Sequence, residues 1–146
     1  MRVIAGTLGG RRLVAPAGTA TRPTPDRVRE ALYSSLGDVQ GAVVLDLYAG
    51  SGALGIEALS RGAASAVFVE SGRHALDALR ANLDALGLAR PQARVLACDA
   101  GRAAATLAGE RAGVDLCLVD PPFRDLPAVL ERLPRMAGPL MNAGGR

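Results

Sequence analysis

A chain of 146 residues suits one domain, and its 49% of hydrophobic residues is enough for a core of its own. The 21% of charged residues and the lack of polar low-complexity tracts exclude a disordered chain. No apolar run reaches the roughly 18 residues of a membrane span, and the start carries Arg2 but no signal-peptide apolar stretch, so a cytoplasmic protein without a membrane partner is expected.

The net charge of +3 is unevenly spread. Residues 1–30 hold Arg2, Arg11, Arg12, Arg22, Arg27 and Arg29 against Asp26 and Glu30, whereas the remaining chain is close to neutral. Such an arm suits contact with a polyanion; a solvated strand pair is the plainer alternative. Residues 2–5 and 11–15 are extended-looking runs around Thr7-Leu8-Gly9-Gly10, which predicts a hairpin. A Pro-, Gly- and Thr-rich connector covers 16–25. Thr24 then reads as a helix N-cap, with Pro25 at the first helical position and Asp26 in the first turn. That helix is expected to end near Gly37.

From residue 42 the chain alternates. Apolar strands are expected at 42–48, 65–70, 93–98 and 114–119, and helices at 53–61, 73–86, 101–109 and 126–137. Near-continuous apolar strands alternating with helices predict an α/β fold with a parallel sheet covered on both faces. Ligands of such sheets bind at the carboxyl ends of the strands. Asp46 to Gly55, Glu70, Asp99 and Asp120 to Phe123 all sit there.

D-L-Y-A-G-S-G-A-L-G (46–55) follows the first strand and opens a helix. Gly50 and Gly52 would let the backbone turn tightly and approach a ligand, and Gly55 would allow close helix–strand packing. The pattern also matches a dinucleotide fingerprint, which is a weak signal on its own. Glu70, 18 positions beyond Gly52, suits a ribose diol in either case. Asp46 decides between them. A carboxylate facing the pocket repels a pyrophosphate but attracts an ammonium, and S-adenosylmethionine carries an ammonium, a sulfonium and a ribose without phosphate. Asp99 suits either an acceptor for the adenine amino group or a helix N-cap.

Asp120-Pro121-Pro122-Phe123 follows the fourth strand. The prolines fix the backbone and remove two N–H donors. The Asp120 carboxylate and the Pro121 carbonyl could then accept both hydrogens of an aromatic amino group and aim its lone pair at a donor methyl. Phe123 would stack on an unpaired or flipped base. The plainer alternative is a strand-ending turn with a buried phenylalanine. Cys98 and Cys117 read as buried structural thiols and His74 as a surface residue. Nothing has metal-ligand spacing, so no metal is expected.

With these residues in view, the chain resembles the RsmD family, bacterial methyltransferases of the guanine amino group (N2) in small-subunit ribosomal RNA. The resemblance rests on M-R-V-I-A-G (1–6), T-R-P-T-P-D-R-V-R-E-A-L (21–32), D-L-Y-A-G-S-G-A-L-G-I-E-A-L-S-R-G-A (46–63) and D-P-P-F (120–123). It implies a Rossmann-like class I S-adenosylmethionine-dependent methyltransferase fold with an N-terminal β-hairpin. Asp46, Gly50, Gly52, Glu70 and Asp99 would line the cofactor pocket, with Tyr48, Ala49 and Ser51 of the same loop. Asp120 to Phe123 would hold the guanine. Arg2, Arg11, Arg12 and Arg22 would grip ribosomal RNA or an assembling small subunit. Residues 1–25 would form the RNA-contacting arm and 26–146 the methyltransferase domain.

The family's sheet has seven strands, whereas this sequence accounts for four before L-M-N-A-G-G-R (140–146). The resemblance therefore implies missing C-terminal strands, an incomplete substrate side and an exposed apolar edge at 114–119. A truncated domain that binds cofactor or RNA without turnover is one alternative. A DNA amino-methyltransferase is another.

Overall fold

The four apolar runs form parallel strands: β1 (Val43–Leu47), β2 (Ser65–Glu70), β3 (Ala93–Ala97) and β4 (Leu116–Val119). They come from a computed structural model that describes residues 1–18 and 23–146. The sheet order is β3-β2-β1-β4. Asp46 lies opposite Phe68 on one side and Leu118 on the other, so the strands end together along one edge.

Among the described residues five α-helices cover the sheet: α1 (Asp26–Leu36), α2 (Ala53–Ser60), α3 (Arg73–Ala85), α4 (Ala100–Gly109) and α5 (Leu126–Ala137). Side chains alternate along a strand, so β1 feeds two cores. Val44 joins Ile56, Phe68, Leu79 and Leu118 in the core beneath α1, α2 and α3. Leu45 and Leu47 join Val69, Ala103, Leu107 and Leu140 beneath α4.

The N-terminal hairpin forms, but it is shorter than its sequence suggests. Arg2 bridges Arg12, the Val3 N–H donates to the Arg11 carbonyl (2.9 Å), and Gly10 donates back to Val3 (2.9 Å). Residues 4–8 leave this pairing because α2 supplies better acceptors. The Ile4 and Ala5 N–H groups donate to the Glu57 carboxylate (2.8 and 3.0 Å), Thr7 donates to the Ser60 carbonyl (2.8 Å), and Leu8 to Ser60 Oγ (2.9 Å). Gly6 makes the approach possible: its φ is +81°, and a Cβ there would fall 1.8 Å from the Ser60 carbonyl oxygen. Glu57 itself is fully buried, accepts from Arg61 Nε (2.8 Å) and lies 3.7 Å from the buried Arg29.

Two expectations change. Thr24 does not cap α1: the helix starts at Asp26, and Pro25 is the N-cap rather than the first helical residue. The Pro25 carbonyl accepts from Val28 and Arg29, and the Thr24 hydroxyl donates to Asp120 Oδ2. Nor is 114–119 a bare edge. Residues 140–146 run beside it, with Val114 bridging Met141, Asn142 donating to Val114 (2.8 Å), Arg146 to Asp115 (2.8 Å) and Cys117 to Arg146 (2.7 Å). Backbone groups that would otherwise need water are paired within the chain.

Gly6→Ala should lower stability by about 2 kcal/mol or more, combining αL strain with the clash against Ser60. Gly10 has nearly the same φ (+82°) and open space around it, so Gly10→Ala should cost distinctly less. Urea titrations of both variants give the comparison. Equal losses would mean that close docking on α2 contributes nothing.

Candidate active site

The sheet edge gathers three of the four expected carboxylates around the loop after β1. Asp46 is fully buried; its Oδ2 accepts from the Gly55 N–H (2.9 Å), while its Oδ1 has no hydrogen-bond partner. Burial pushes its carboxyl up to about 7, the Gly55 bond opposes this, and the nearby charges of Asp120 and Glu70 add to it. Glu70 braces the loop: one oxygen accepts from Gly50 N–H (2.8 Å), and the other from Ser71 (2.9 Å) and Gly72 (2.8 Å). Three bonds leave one of a carboxylate's roughly four lone-pair positions for a ligand.

The glycines divide the work differently from the sequence reading. Gly50 has φ +58° and nothing within 4 Å of a would-be Cβ, which leaves its backbone open to a ligand. At Gly52 the φ is +83° and a Cβ would meet Leu79 Cδ1 at 2.4 Å, so that glycine also lets α3 pack closely against the loop. Gly55 packs as expected, with Phe68 2.4 Å from the Cβ position. Tyr48 also has a positive φ (+60°), a strained conformation at the turn between strand and loop. Ala49 and Ser51 are buried, and the Ser51 carbonyl accepts from Asn82 (2.9 Å).

Asp99 is the N-cap of α4, with Oδ1 accepting from the Arg102 N–H (2.9 Å), and it also lines a small cavity of about 100 Å³. Tyr48, Glu70 and Ser71 share that cavity. So do Val129, Arg132 and Met136 from α5, which the sequence reading missed. Their signal was the helical spacing of 129, 132 and 136, visible only once α5 is known to fold back over this edge.

β4 lies beside β1, so Asp120 emerges next to the glycine loop; its N–H reaches the Leu47 carbonyl at 3.5 Å. Pro121 is buried and its carbonyl accepts no bond among the described residues. Pro122 is extended and accepts from Asp125 (2.8 Å), opening a short 3₁₀ turn at Phe123–Asp125. Phe123 is 91% exposed, so the tetrapeptide does not bury its ring.

The four arginines expected to meet RNA fare differently. Arg2 is 68% exposed and 3.7 Å from Asp26, and Arg11 donates to the Ala85 carbonyl at the end of α3 (2.9 Å). Arg12 is exposed and forms no ion pair among the described residues. Arg22 lies outside those residues. Cys98 and Cys117 are free and half-buried, burial pushing the Cys117 thiol up to about 11, and His74 is exposed. No helix is long and apolar enough to cross a membrane, and no metal-binding cluster occurs among the described residues.

The family described as Conserved hypothetical protein 95 matches residues 1–138. Ribosomal RNA small subunit methyltransferase D of Escherichia coli K12 is 43% identical over 125 residues, covering 85% of this chain and 61% of its own length. The Bacillus subtilis protein named "Putative rRNA methyltransferase YlbH" is 44% identical over 126 residues, covering 86% of this chain and 68% of its own. This chain belongs to the RsmD family.

A solved hypothetical protein of Thermus thermophilus superposes on this RsmD-family chain with a TM-score of 0.86 at 33% identity, covering 99% of the chain and 82% of that structure. A solved structure described as a putative methyltransferase from Escherichia coli superposes with a TM-score of 0.75 at 37% identity, covering 94% of the chain and 71% of that structure. The fold is therefore a Rossmann-like α/β methyltransferase fold. The chain spans 61–68% of the length of the two curated relatives.

The buried Asp46 generates a pH prediction for this RsmD-family chain. Its folded value lies above the ordinary 3.8, so it favours folding below about pH 4 and loses that contribution as pH rises through about 7. Asp46→Asn removes the ionisation. The variant's stability relative to the parent should rise by up to about 4 kcal/mol between pH 4 and 8. Denaturation curves across that range measure it; a difference independent of pH would show that Asp46 ionises freely.

Proposed function

We propose that this RsmD-family chain binds S-adenosylmethionine and methylates the N2 amino group of a guanine in small-subunit ribosomal RNA, in the cytoplasm. Residues 1–25 would serve as the RNA-contacting arm and 26–146 as the methyltransferase domain. The observation that carries the reading is the juxtaposition, along β1 and β4, of an acid-lined glycine loop and an open Asp-Pro-Pro-Phe turn. The names of the E. coli and B. subtilis relatives support ribosomal RNA as the substrate class.

The residues suit the cofactor. A buried carboxylate oxygen without a partner, at Asp46, is costly unless a cation reaches it, and the donor's ammonium is such a cation. Gly50 leaves backbone room beside it, the remaining acceptor position on Glu70 suits a ribose hydroxyl, and Asp99 Oδ2 suits the adenine amino group. When bound, S-adenosylmethionine supplies an electrophilic methyl whose carbon–sulfur bond breaks with its electron pair returning to sulfur.

The chain's own groups then act on the base. Asp120 Oδ1 accepts one amino hydrogen and the Pro121 carbonyl accepts the other, which turns the nitrogen lone pair towards the methyl. As nitrogen forms its new bond it gains positive charge, which the Asp120 carboxylate stabilises before taking the proton. Phe123 stacks on the ring, and its exposure suits a base swung out of its helix.

Labelled donor incubated with small subunits lacking methylation should place label on a guanine N2. Asp120→Ala should lower turnover at least about 100-fold while leaving donor affinity within a few-fold. Unchanged turnover in that variant would remove Asp120 from the chemistry, and label on naked DNA rather than ribosomal RNA would favour a DNA amino-methyltransferase.

A further inference from the structure

The catalytic turn has few anchors of its own. Pro121 and Pro122 carry no N–H, and the Asp120 N–H meets the Leu47 carbonyl only at 3.5 Å. The Asp125 N–H to Pro122 bond ties the turn to itself, not to the body. An exposed carboxylate there has several rotamers open to it. One side chain from elsewhere fixes it: the Thr24 hydroxyl, 96 residues distant in sequence, donates to Asp120 Oδ2.

Thr24 is well placed for this. It directly precedes Pro25, whose carbonyl starts α1, and α1 is held at several points. Arg29, fully buried, donates to Asp26 and to the Arg2 carbonyl (2.6 Å each), and Tyr33 Oη donates to the Leu54 carbonyl (2.7 Å) on α2. Pro25 occupies the N-cap position of α1, so the Thr24 hydroxyl, one residue further out, is not engaged by the helix and is available to Asp120.

We propose that Thr24 is a positioning residue: its hydroxyl holds Asp120 by Oδ2 so that Oδ1 faces the incoming amino group. This rests on the reading of Asp120 given above. It also joins the connector that leads out of the basic arm to the group that holds the base.

The test compares Thr24→Val, which keeps the shape but loses the hydroxyl, with Thr24→Ser, which restores it. Thr24→Val should lower kcat about 10-fold or more, with KM for RNA and donor affinity within about threefold and an unchanged melting temperature. Thr24→Ser should recover to within about threefold of the parent. A readout that needs no turnover is the Thr24 methyl order parameter by NMR, which should fall in Asp120→Ala because methyl and hydroxyl share one χ1. Full turnover by Thr24→Val, a Ser variant no better than Val, or an unchanged order parameter would overturn the inference while leaving Asp120 in place. Activity retained by Asp120→Ala would instead overturn the reading of Asp120, and this inference with it.

Discussion

The fully buried carboxylate of Glu57 is the contact on which the arrangement of this molecule turns. It accepts from two hairpin N–H groups and from Arg61, and it faces Arg29 across 3.7 Å. A buried ion pair contributes little net stability, but stripping one partner from it costs about 3–5 kcal/mol, so its effect is to make one arrangement far better than its neighbours. Here three elements share the charge: the hairpin, α1 through Arg29, and α2, the helix that the glycine loop opens. That group acts with the Ser60, Arg29–Arg2 and Tyr33–Leu54 bonds to set the register of the arm and α1, and so the place where Thr24 meets Asp120.

At the sheet edge the logic is electrostatic. Parallel strands must all end on the same side, and three of the four ends here deliver Asp46, Glu70 and Asp120 close enough for the last two to raise the carboxyl of the first. Those two charges bear on a buried carboxyl whose Oδ1 has no partner, so the edge is poorly satisfied at Asp46 by itself. A cationic ligand relieves it, and a pyrophosphate aggravates it. That asymmetry carries more weight for the choice of ligand than the glycine spacing, which many nucleotide sites share.

The regular elements were legible because their signals are local. Short apolar runs rich in β-branched residues, such as Val43-Val44-Leu45 and Val67-Phe68-Val69, read as strands covered on both faces, and Gly37, Gly62 and Gly87 follow the ends of α1, α2 and α3. What escaped was long-range. Glu57 is one polar position within the helix expected at 53–61, and nothing nearby announces that two amides some fifty residues earlier will seek it. Gly52 matched a ligand-loop pattern, but its close approach to Leu79 of α3 could not be read from that pattern. Thr24 obeyed the local grammar of a cap, but α1 takes Pro25 as its N-cap and leaves the hydroxyl to Asp120. Arg132 enters the site because α5 folds back beside α4, over the ends of β2 and β3.

The claim that Asp46 faces the ammonium of the methyl donor can be measured as a proton count. Calorimetric titration of S-adenosylmethionine into the protein at about pH 6.5, repeated in buffers of different ionisation enthalpy, reports protons exchanged on binding. Asp46 is then mostly protonated, whereas the ligand amine, with an ordinary value near 8, stays charged. An ammonium brought against Oδ1 should drive the proton off, releasing about half a proton or more per ligand, and Asp46→Asn should abolish the release. Binding with no proton exchange, or release that persists in the Asn variant, would contradict the account.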